Sequence, residues 1–155
     1  MPLSSHLEFL ERALRKADES VAQGGFPAGA VIVKNGVIIG EGISIGTILQ
    51  DCTSHGEMDS IRNACKNIKS TDLTGATLYA SMQPCLMCFG AAMWSGISEI
   101  VYACSMERVA PEYYGGHYNM LPINTQLLRP VIFTHIAALE EKSLATVRAW
   151  EASHT

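Results

Sequence analysis

Four side chains that could perform chemistry lie in two short segments of the sequence. His55 and Glu57 flank a glycine in "CTSHGEMDSIRNACK", where a turn-forming run passes into a helical pattern. Cys85 and Cys88 are three residues apart in "QPCLMC", where Pro84 predicts the start of another helix. Because positions i and i+3 share one face of a helix, the two thiols can chelate one metal ion.

The ligand types favour zinc. The unpaired N–H groups at a helix start stabilise a thiolate, which is the form of cysteine that binds metal. His55 can add a third ligand from the start of the other helix. Two thiolates and one imidazole form a soft set that prefers tetrahedral geometry. We therefore expect His55, Cys85 and Cys88 to bind Zn²⁺.

Glu57 indicates a hydrolytic site. Positions i and i+2 lie about 200° apart around a helix, so His55 and Glu57 can face one site only off the helix end. Zinc with an open coordination position brings the pKa of bound water to about 7, and a neighbouring carboxylate can carry the proton elsewhere. Gly56 is expected to keep the space between the two side chains free.

Cys52 allows a second interpretation. It stands three residues before His55, so with the two thiols of the other segment it would complete a closed Cys₃His structural site. Glu57 would then only favour the helix dipole, and the chain would be a non-catalytic zinc module. A closed site gives no reason for the position of Glu57, and a domain rich in apolar residues has little need of a structural metal ion to stabilise its fold.

Composition narrows the functional classes. A chain of 155 residues, 48% of them hydrophobic, predicts one domain over residues 1–155. Residues 1–10 lack the basic start and long apolar run of a secretory signal, so a cytoplasmic location is expected. Five cysteines are an odd number for a disulfide framework, so reduced thiols or metal ligands are expected. No apolar stretch reaches the roughly 20 residues of a membrane helix. A net charge of −4 without a basic stripe favours a small-molecule partner over nucleic acid.

Apolar periodicity predicts alternating helices and strands. Helices are expected at residues 6–23, 56–67, 85–95 and 143–152, and strands at 30–34, 37–41, 76–80, 99–103 and 130–136. Asn35-Gly36 fits the type I′ turn of a hairpin between the first two strands. Helices between strands indicate a layered α/β domain with a mixed sheet. Cys65, Cys104 and Trp94 are expected in the core, and residues 106–128 form a long irregular region that covers a site.

The two segments together form a known signature. His-x-Glu followed by Pro-Cys-x-x-Cys, each opening a helix, is typical of zinc deaminases. The chain resembles the cytidine and nucleobase deaminase superfamily from Ala13 to Trp150. It is most similar to bacterial guanine deaminases in "QDCTSHGEMDSIRNACK", "TLYASMQPCLMCFGAAMW" and "LATVRAW", and its His-Gly-Glu form is also similar to fungal-type cytosine deaminases.

The resemblance implies a fold, an assembly and residue roles. The fold would be a three-layer α/β/α sandwich around a mixed five-stranded sheet, and the protein a homodimer with one zinc per subunit. His55, Cys85 and Cys88 fall on the metal ligands, and Glu57 falls on the proton shuttle. The reaction would replace an exocyclic amine of a free base by a carbonyl and release ammonia. A tRNA adenosine deaminase shares the motif but would need an electropositive groove.

Departures from the relatives point to a remodelled substrate pocket. Ser44 stands where relatives carry an Asn, Ala28 where many have a bulky apolar residue, and Gln83 where Glu or Ser is usual. These changes suit a modified base, a triazine or another aminated heterocycle.

A specificity loop is expected at residues 106–118, "MERVAPEYYGGHY". Glu112 could recognise ring N–H or amino groups, and Tyr113, Tyr114 or His117 could stack on the ring. The alternative is a solvated loop whose aromatic side chains pack on the domain or on a partner subunit.

Overall fold

The computed structural model describes residues 2–154, in which helices and strands alternate. The helices are α1 (Leu3–Ala22), α2 (Gly46–Leu49), α3 (Gly56–Ile68), α4 (Leu86–Ser95), α5 (Leu121–Asn124) and α6 (Glu140–Ser153). The strands are β1 (Phe26–Lys34), β2 (Val37–Ser44), β3 (Thr77–Met82), β4 (Glu99–Cys104) and β5 (Ile132–His135). Short 3₁₀ turns lie at Met106–Arg108, Pro111–Tyr113 and Ala137–Leu139. No helix within residues 2–154 combines the length and the apolar character needed to cross a membrane.

The five strands form one mixed sheet in the order β2-β1-β3-β4-β5. Strand β1 is antiparallel to β2 and β3, whereas β3, β4 and β5 run parallel to one another. Asn35 and Gly36 both have positive φ, 51° and 74°, as a type I′ turn requires. The predicted hairpin and mixed sheet are therefore confirmed.

Helices cover both faces of the sheet. Alternate residues of a strand point to opposite faces, and those of β1 are buried on both. Val31 and Val33 pack with Leu10 of α1 on one face, where α6 also lies. Ile32 packs with Ile61 of α3 and with α4 on the other face. The architecture is the expected α/β/α sandwich.

Several predicted boundaries and one core assignment differ from the structure. Helix α1 begins at Leu3, and α2 lies in a stretch that was predicted to be irregular. The assignment of Trp94 to the core is wrong, because its side chain is 84% exposed. Phe89 and Ala92 make the buried side of α4, and a residue two positions after Ala92 points away from that side. Cys104 is buried as predicted.

Helix α3 packs directly onto strand β2 because the strand carries glycines at the contact. A Cβ on Gly42 would overlap the Gly56 carbonyl oxygen and the Ser60 amide nitrogen of α3. A Cβ on Gly40 would meet the Ser60 carbonyl and Ala64 in the same way. The backbone of β2 therefore sets the position of α3 and, with it, of the residues at the start of that helix.

Gly42→Ala is expected to destabilise the protein by about 1–3 kcal/mol, since the added methyl must push α3 off the sheet. Zinc affinity should fall as well, because His55 immediately precedes α3. Chemical denaturation and zinc titration measure the two effects. Gly90→Ala in α4 is the matched control, since nothing lies within 4 Å of its added Cβ. Stability of that variant should rise by up to about 1 kcal/mol through helix propensity. Equal stability of the two variants would contradict the packing argument.

Candidate active site

The starts of α3 and α4 bring the three candidate metal ligands together. His55 is the residue that caps α3, Cys85 caps α4 in the same way, and Cys88 lies in the first turn of α4. The Nδ1 atom of His55 lies 3.5 Å from Cys85 Sγ and 3.6 Å from Cys88 Sγ. All three ligand atoms lie within 4.8 Å of one another.

These distances fit a tetrahedral zinc ion. Sulfur at about 2.3 Å and nitrogen at about 2.0 Å from a tetrahedral zinc lie about 3.5 Å from each other. The observed separations of 3.5 and 3.6 Å match that value. Cys52 is exposed and lies outside the group. The described residues therefore provide three ligands rather than a closed set of four.

Glu57 is buried beside the ligands, with 5% of its surface exposed. Cys88 Sγ donates to Glu57 Oε2 at 3.4 Å. Burial, followed by the charge of Cys85, raises the pKa of Glu57 to about 7. A carboxyl group of that kind can both take up and release a proton near neutral pH.

The pKa values of the two cysteine thiols are shifted in opposite directions. Interaction with Cys88 and then with His55 lowers the pKa of Cys85 to about 4. Interaction with Cys85, followed by burial, raises the pKa of Cys88 well above its usual value. The hydrogen bond to Cys85 raises the pKa of His55. Cys85 is therefore the thiol that ionises first.

The missing side chain of Gly56 allows close packing of α3 on the sheet and does not open space between His55 and Glu57. A Cβ on Gly56 would lie 3.0 Å from Gly29 Cα and 3.3 Å from the Ala28 carbonyl oxygen, both in β1. The expectation that Gly56 keeps the gap free is wrong, because its missing side chain points at the sheet. The first turn of α3 therefore also lies against β1, although less closely than α3 lies against β2.

A cavity of about 300 Å³ opens onto Glu57 and the ligands. Its walls come from the ends of β1, β2 and β3, the α2 region and the loop after β4. The lining residues are Phe26, Ala28, Ser44, Gly46, Thr47, Asp51, Cys52, Ser54, His55, Glu57, Met82, Gln83, Cys85, Tyr113 and Tyr114. Five of the six predicted substrate contacts are among them. Glu112 is not, since its side chain is exposed one residue before the cavity wall.

Ser20, which the sequence patterns did not single out, holds one wall of the cavity. The pairing of β1 with β2 is irregular between Phe26 and Gly29. The buried Ser20 hydroxyl of α1 donates to the Phe26 carbonyl at 2.7 Å and accepts from the Ser44 N–H at 3.0 Å. These bonds satisfy backbone groups that the irregular pairing leaves free. A serine on the apolar face of α1 was the available signal.

The predicted specificity loop is tied to the segment that carries Cys85. Gln83 Oε1 accepts from the Met106 N–H at 2.9 Å, and the Gln83 carbonyl accepts from the Tyr114 hydroxyl at 2.7 Å. Tyr113 donates to Glu151 Oε1 of α6 at 2.6 Å. The Gln83 side-chain oxygen therefore positions the loop, and Tyr113 and Tyr114 form a fixed wall of the cavity.

The sequence around this site matches a known family. Residues 3–104 match the cytidine and deoxycytidylate deaminase zinc-binding region, and that segment contains all three ligands and Glu57. The chain belongs to this family of zinc-binding deaminases. Zinc is the cofactor of the family, and the ligand group of the structure agrees with it.

Two relatives whose names give different substrates are similar to this chain. The chain is 45% identical over 100 residues to guanine deaminase of Bacillus subtilis, which covers 64% of this chain and 64% of the relative. It is 39% identical over 99 residues to the tRNA-specific adenosine deaminase of Haemophilus influenzae, which covers 63% of this chain and 57% of the relative. The matched part thus spans less than two thirds of either relative.

Solved structures of deaminases share the fold. The crystal structure of guanine deaminase from Bacillus subtilis superposes with a TM-score of 0.66 at 33% identity, covering 98% of this chain and 95% of that chain. A structure from a study of A-to-I editing by tRNA:A34 deaminases superposes with a TM-score of 0.77 at 27% identity, covering 90% and 99%.

Proposed function

We propose that the protein is a zinc-dependent hydrolytic deaminase that converts an exocyclic amine of a free nucleobase or related N-heterocycle to a carbonyl. The observation that carries this proposal is the grouping of His55, Cys85 and Cys88 beside the buried Glu57, where His55, Glu57 and Cys85 line one cavity. A volume of about 300 Å³ lies at the lower end of the range for small-molecule sites. A heterocycle without a phosphate fits such a space.

Glu57 is the proton carrier in this proposal. His55, Cys85 and Cys88 would hold the zinc ion, which would supply a water molecule of lowered pKa. The Glu57 carboxylate accepts a proton from that water and delivers it to the ring nitrogen next to the carbon that bears the amine. The water oxygen bonds to that carbon, and Glu57 then takes the remaining proton of this hydroxyl group and passes it to the amine as the C–N bond breaks. Water and the C–NH₂ group thereby give C=O and ammonia, and Glu57 ends in the state in which it began.

Guanine-like bases are the proposed substrate class. The guanine deaminase of Bacillus subtilis supports this, as does the absence of any Lys or Arg among the lining residues that the structure describes. Ser44 and Ala28 lie on the cavity wall, so their departures from the relatives bear directly on the base. A cytosine-like base, a modified base or a triazine is an alternative substrate for the same reaction.

A tRNA adenosine deaminase is the second candidate. The similarity to the Haemophilus influenzae enzyme and to the tRNA:A34 deaminase structure favours it. An acidic chain whose cavity walls carry carboxylates and no cations counts against it.

Ammonia release from a substrate panel separates the candidates. The zinc-loaded protein is incubated with guanine, 8-azaguanine, 2,6-diaminopurine, cytosine, a pterin, melamine and a tRNA with adenosine at position 34. Our proposal expects turnover of at least one free heterocycle and no conversion of the tRNA. Inosine formation in the tRNA alone, with binding that falls steeply with salt, would establish the second candidate instead. Bound zinc without any turnover would indicate a structural zinc module.

We also propose that residues 1–155 form one deaminase domain that assembles as a homodimer with one zinc per subunit. Leu86 and Trp94 support the dimer, since these α4 side chains are 47% and 84% exposed. Burying such apolar surface against a second copy is favourable. Trp94→Glu is expected to shift the mass in solution from dimer to monomer, and light scattering measures it. An unchanged mass would contradict this interface.

The five free thiols support a cytoplasmic location.

A further inference from the structure

Asp51 is a charged group on the cavity wall that the proposed reaction does not use. Besides Asp51 and Glu57, no other lining residue that the structure describes carries a carboxylate, and none is Lys or Arg. Hydrogen bonds from Thr53 lower the pKa of Asp51, so its carboxylate is charged at neutral pH. A ligand in the cavity therefore meets a negative charge on the wall, while Arg62, whose charge also lowers the pKa of Asp51, bonds to Thr53 and does not line the cavity.

Hydrogen bonds hold the Asp51 carboxylate by one oxygen. Asp51 Oδ1 accepts from the Thr53 N–H at 2.8 Å and from the Thr53 hydroxyl at 2.7 Å. The Thr53 hydroxyl oxygen in turn accepts from Arg62 Nη2 at 2.7 Å. Among residues 2–154 each hydrogen bond found to this carboxylate goes to Oδ1. Oδ2 thus keeps its capacity to accept.

The backbone of Asp51 is fixed as well. Its N–H donates to the Gly46 carbonyl at 2.9 Å, and its carbonyl accepts from the Ser54 N–H at 3.1 Å. Gly46 and Ser54 line the same cavity. Asp51 therefore lies in a segment whose backbone is tied on both sides, which is the preorganisation that a recognition group needs.

We propose that Asp51 determines substrate specificity by accepting a hydrogen bond from a ring N–H of the base, and so selects guanine-type heterocycles that carry such a donor beside the reacting amine. This inference rests on the proposed function. A carboxylate can only accept, so a base that offers a lone pair or a methyl group at that place is rejected. The negative charge of the carboxylate also repels a phosphate near the cavity mouth.

Asp51→Asn tests the proposal with the least change in shape. The amide oxygen can still accept from Thr53, while an NH₂ donor replaces the second oxygen. A charged hydrogen bond to substrate predicts a loss of about 10- to 100-fold in kcat/KM for guanine, mainly through KM. Zinc content and melting temperature should stay unchanged.

A series of methylated guanines shows whether the protein recognises a ring N–H of the base. Guanine is compared with its 1-methyl, 7-methyl and 9-methyl derivatives. The ring N–H beside the reacting amine of guanine is N1–H, so the wild type should show a kcat/KM for 1-methylguanine about 10-fold or more below that for guanine, and Asp51→Asn should reduce that ratio. The 7-methyl and 9-methyl derivatives serve as controls. Thr53→Ala, which keeps the charge but loses the anchor of Oδ1, should give a smaller rise in KM, and this variant serves where Asp51→Asn does not fold.

Asp72→Asn is the matched control. Asp72 Oδ1 accepts from the Thr74 N–H at 2.9 Å in the same local arrangement, but Asp72 is exposed and does not line the cavity. Its replacement should leave the kinetics unchanged. Equal KM values and methyl-guanine ratios in the wild type and Asp51→Asn would overturn the inference and leave the deaminase proposal standing. Absence of turnover on every heterocycle by the wild type would overturn both.

Discussion

Replacing Glu57 by Gln is expected to lower kcat by about 10²- to 10⁴-fold while zinc stays bound. The amide has nearly the shape of the carboxylate but cannot accept a proton from water or deliver one to the ring nitrogen. Glu57 contacts one ligand, Cys88, through Oε2. Replacing the carboxylate by an amide removes the charge of residue 57 and leaves all three ligands in place. Steady-state ammonia release and zinc per chain are measured on the same preparation.

Asp59→Asn is the control for the helix-dipole interpretation of Glu57. Both acids lie in the first turn of α3, but Asp59 Oδ2 accepts from the Ile43 N–H of β2 and does not line the cavity. Activity of Asp59→Asn should stay within about threefold of the wild type, because an acid that only favours the dipole contributes little. Equal effects of the two substitutions, or near-full turnover in Glu57→Gln, would remove Glu57 from the chemistry.

Cys88→Ser is expected to lower zinc affinity by more than about 100-fold and to abolish turnover. Changes to residues that merely support ligands already cost about 10- to 100-fold in metal affinity, and a buried hydroxyl is a poor replacement for a thiolate. Cys88 is fully buried beside His55, so water cannot easily take its place. Competition with a chromogenic chelator measures the affinity, and elemental analysis gives the zinc content.

Cys52→Ser is the matched control for the second interpretation of the cysteines. Cys52 is exposed and outside the ligand group, so zinc content and affinity should be those of the wild type. A loss of zinc in Cys52→Ser comparable to that in Cys88→Ser would indicate a closed Cys₃His site. The fourth coordination position would then not be open to water, and the proposed reaction would be wrong.

Local patterns in the sequence carried the features that depend on neighbouring residues. The Asn35-Gly36 turn, the apolar run of β1 and the placement of Cys85 and Cys88 on one helical turn are set within a few residues. The mixed sheet follows from the hairpin and the helical connections. These parts of the fold were therefore predictable without knowledge of distant contacts.

Features that depend on contacts between distant segments were not predictable. Ser20 bonds to residues of β1 and β2 that only the folded chain brings near α1. Trp94 lies in an apolar helix, whose composition does not show which side the sheet covers. Glu112 was expected to contact the substrate but is exposed outside the cavity, whereas Asp51, which the sequence patterns did not single out, is a lining residue.

Oxygen transfer from water tests the central claim most directly. The heterocycle panel is incubated with the zinc-loaded protein in H₂¹⁸O, and product mass and ammonia are measured together. Hydrolytic deamination predicts a product that carries one ¹⁸O in its new carbonyl group and one ammonia released for each product molecule. A product without ¹⁸O, or no ammonia from any heterocycle, would contradict the assignment of this site as a hydrolytic deaminase of free bases.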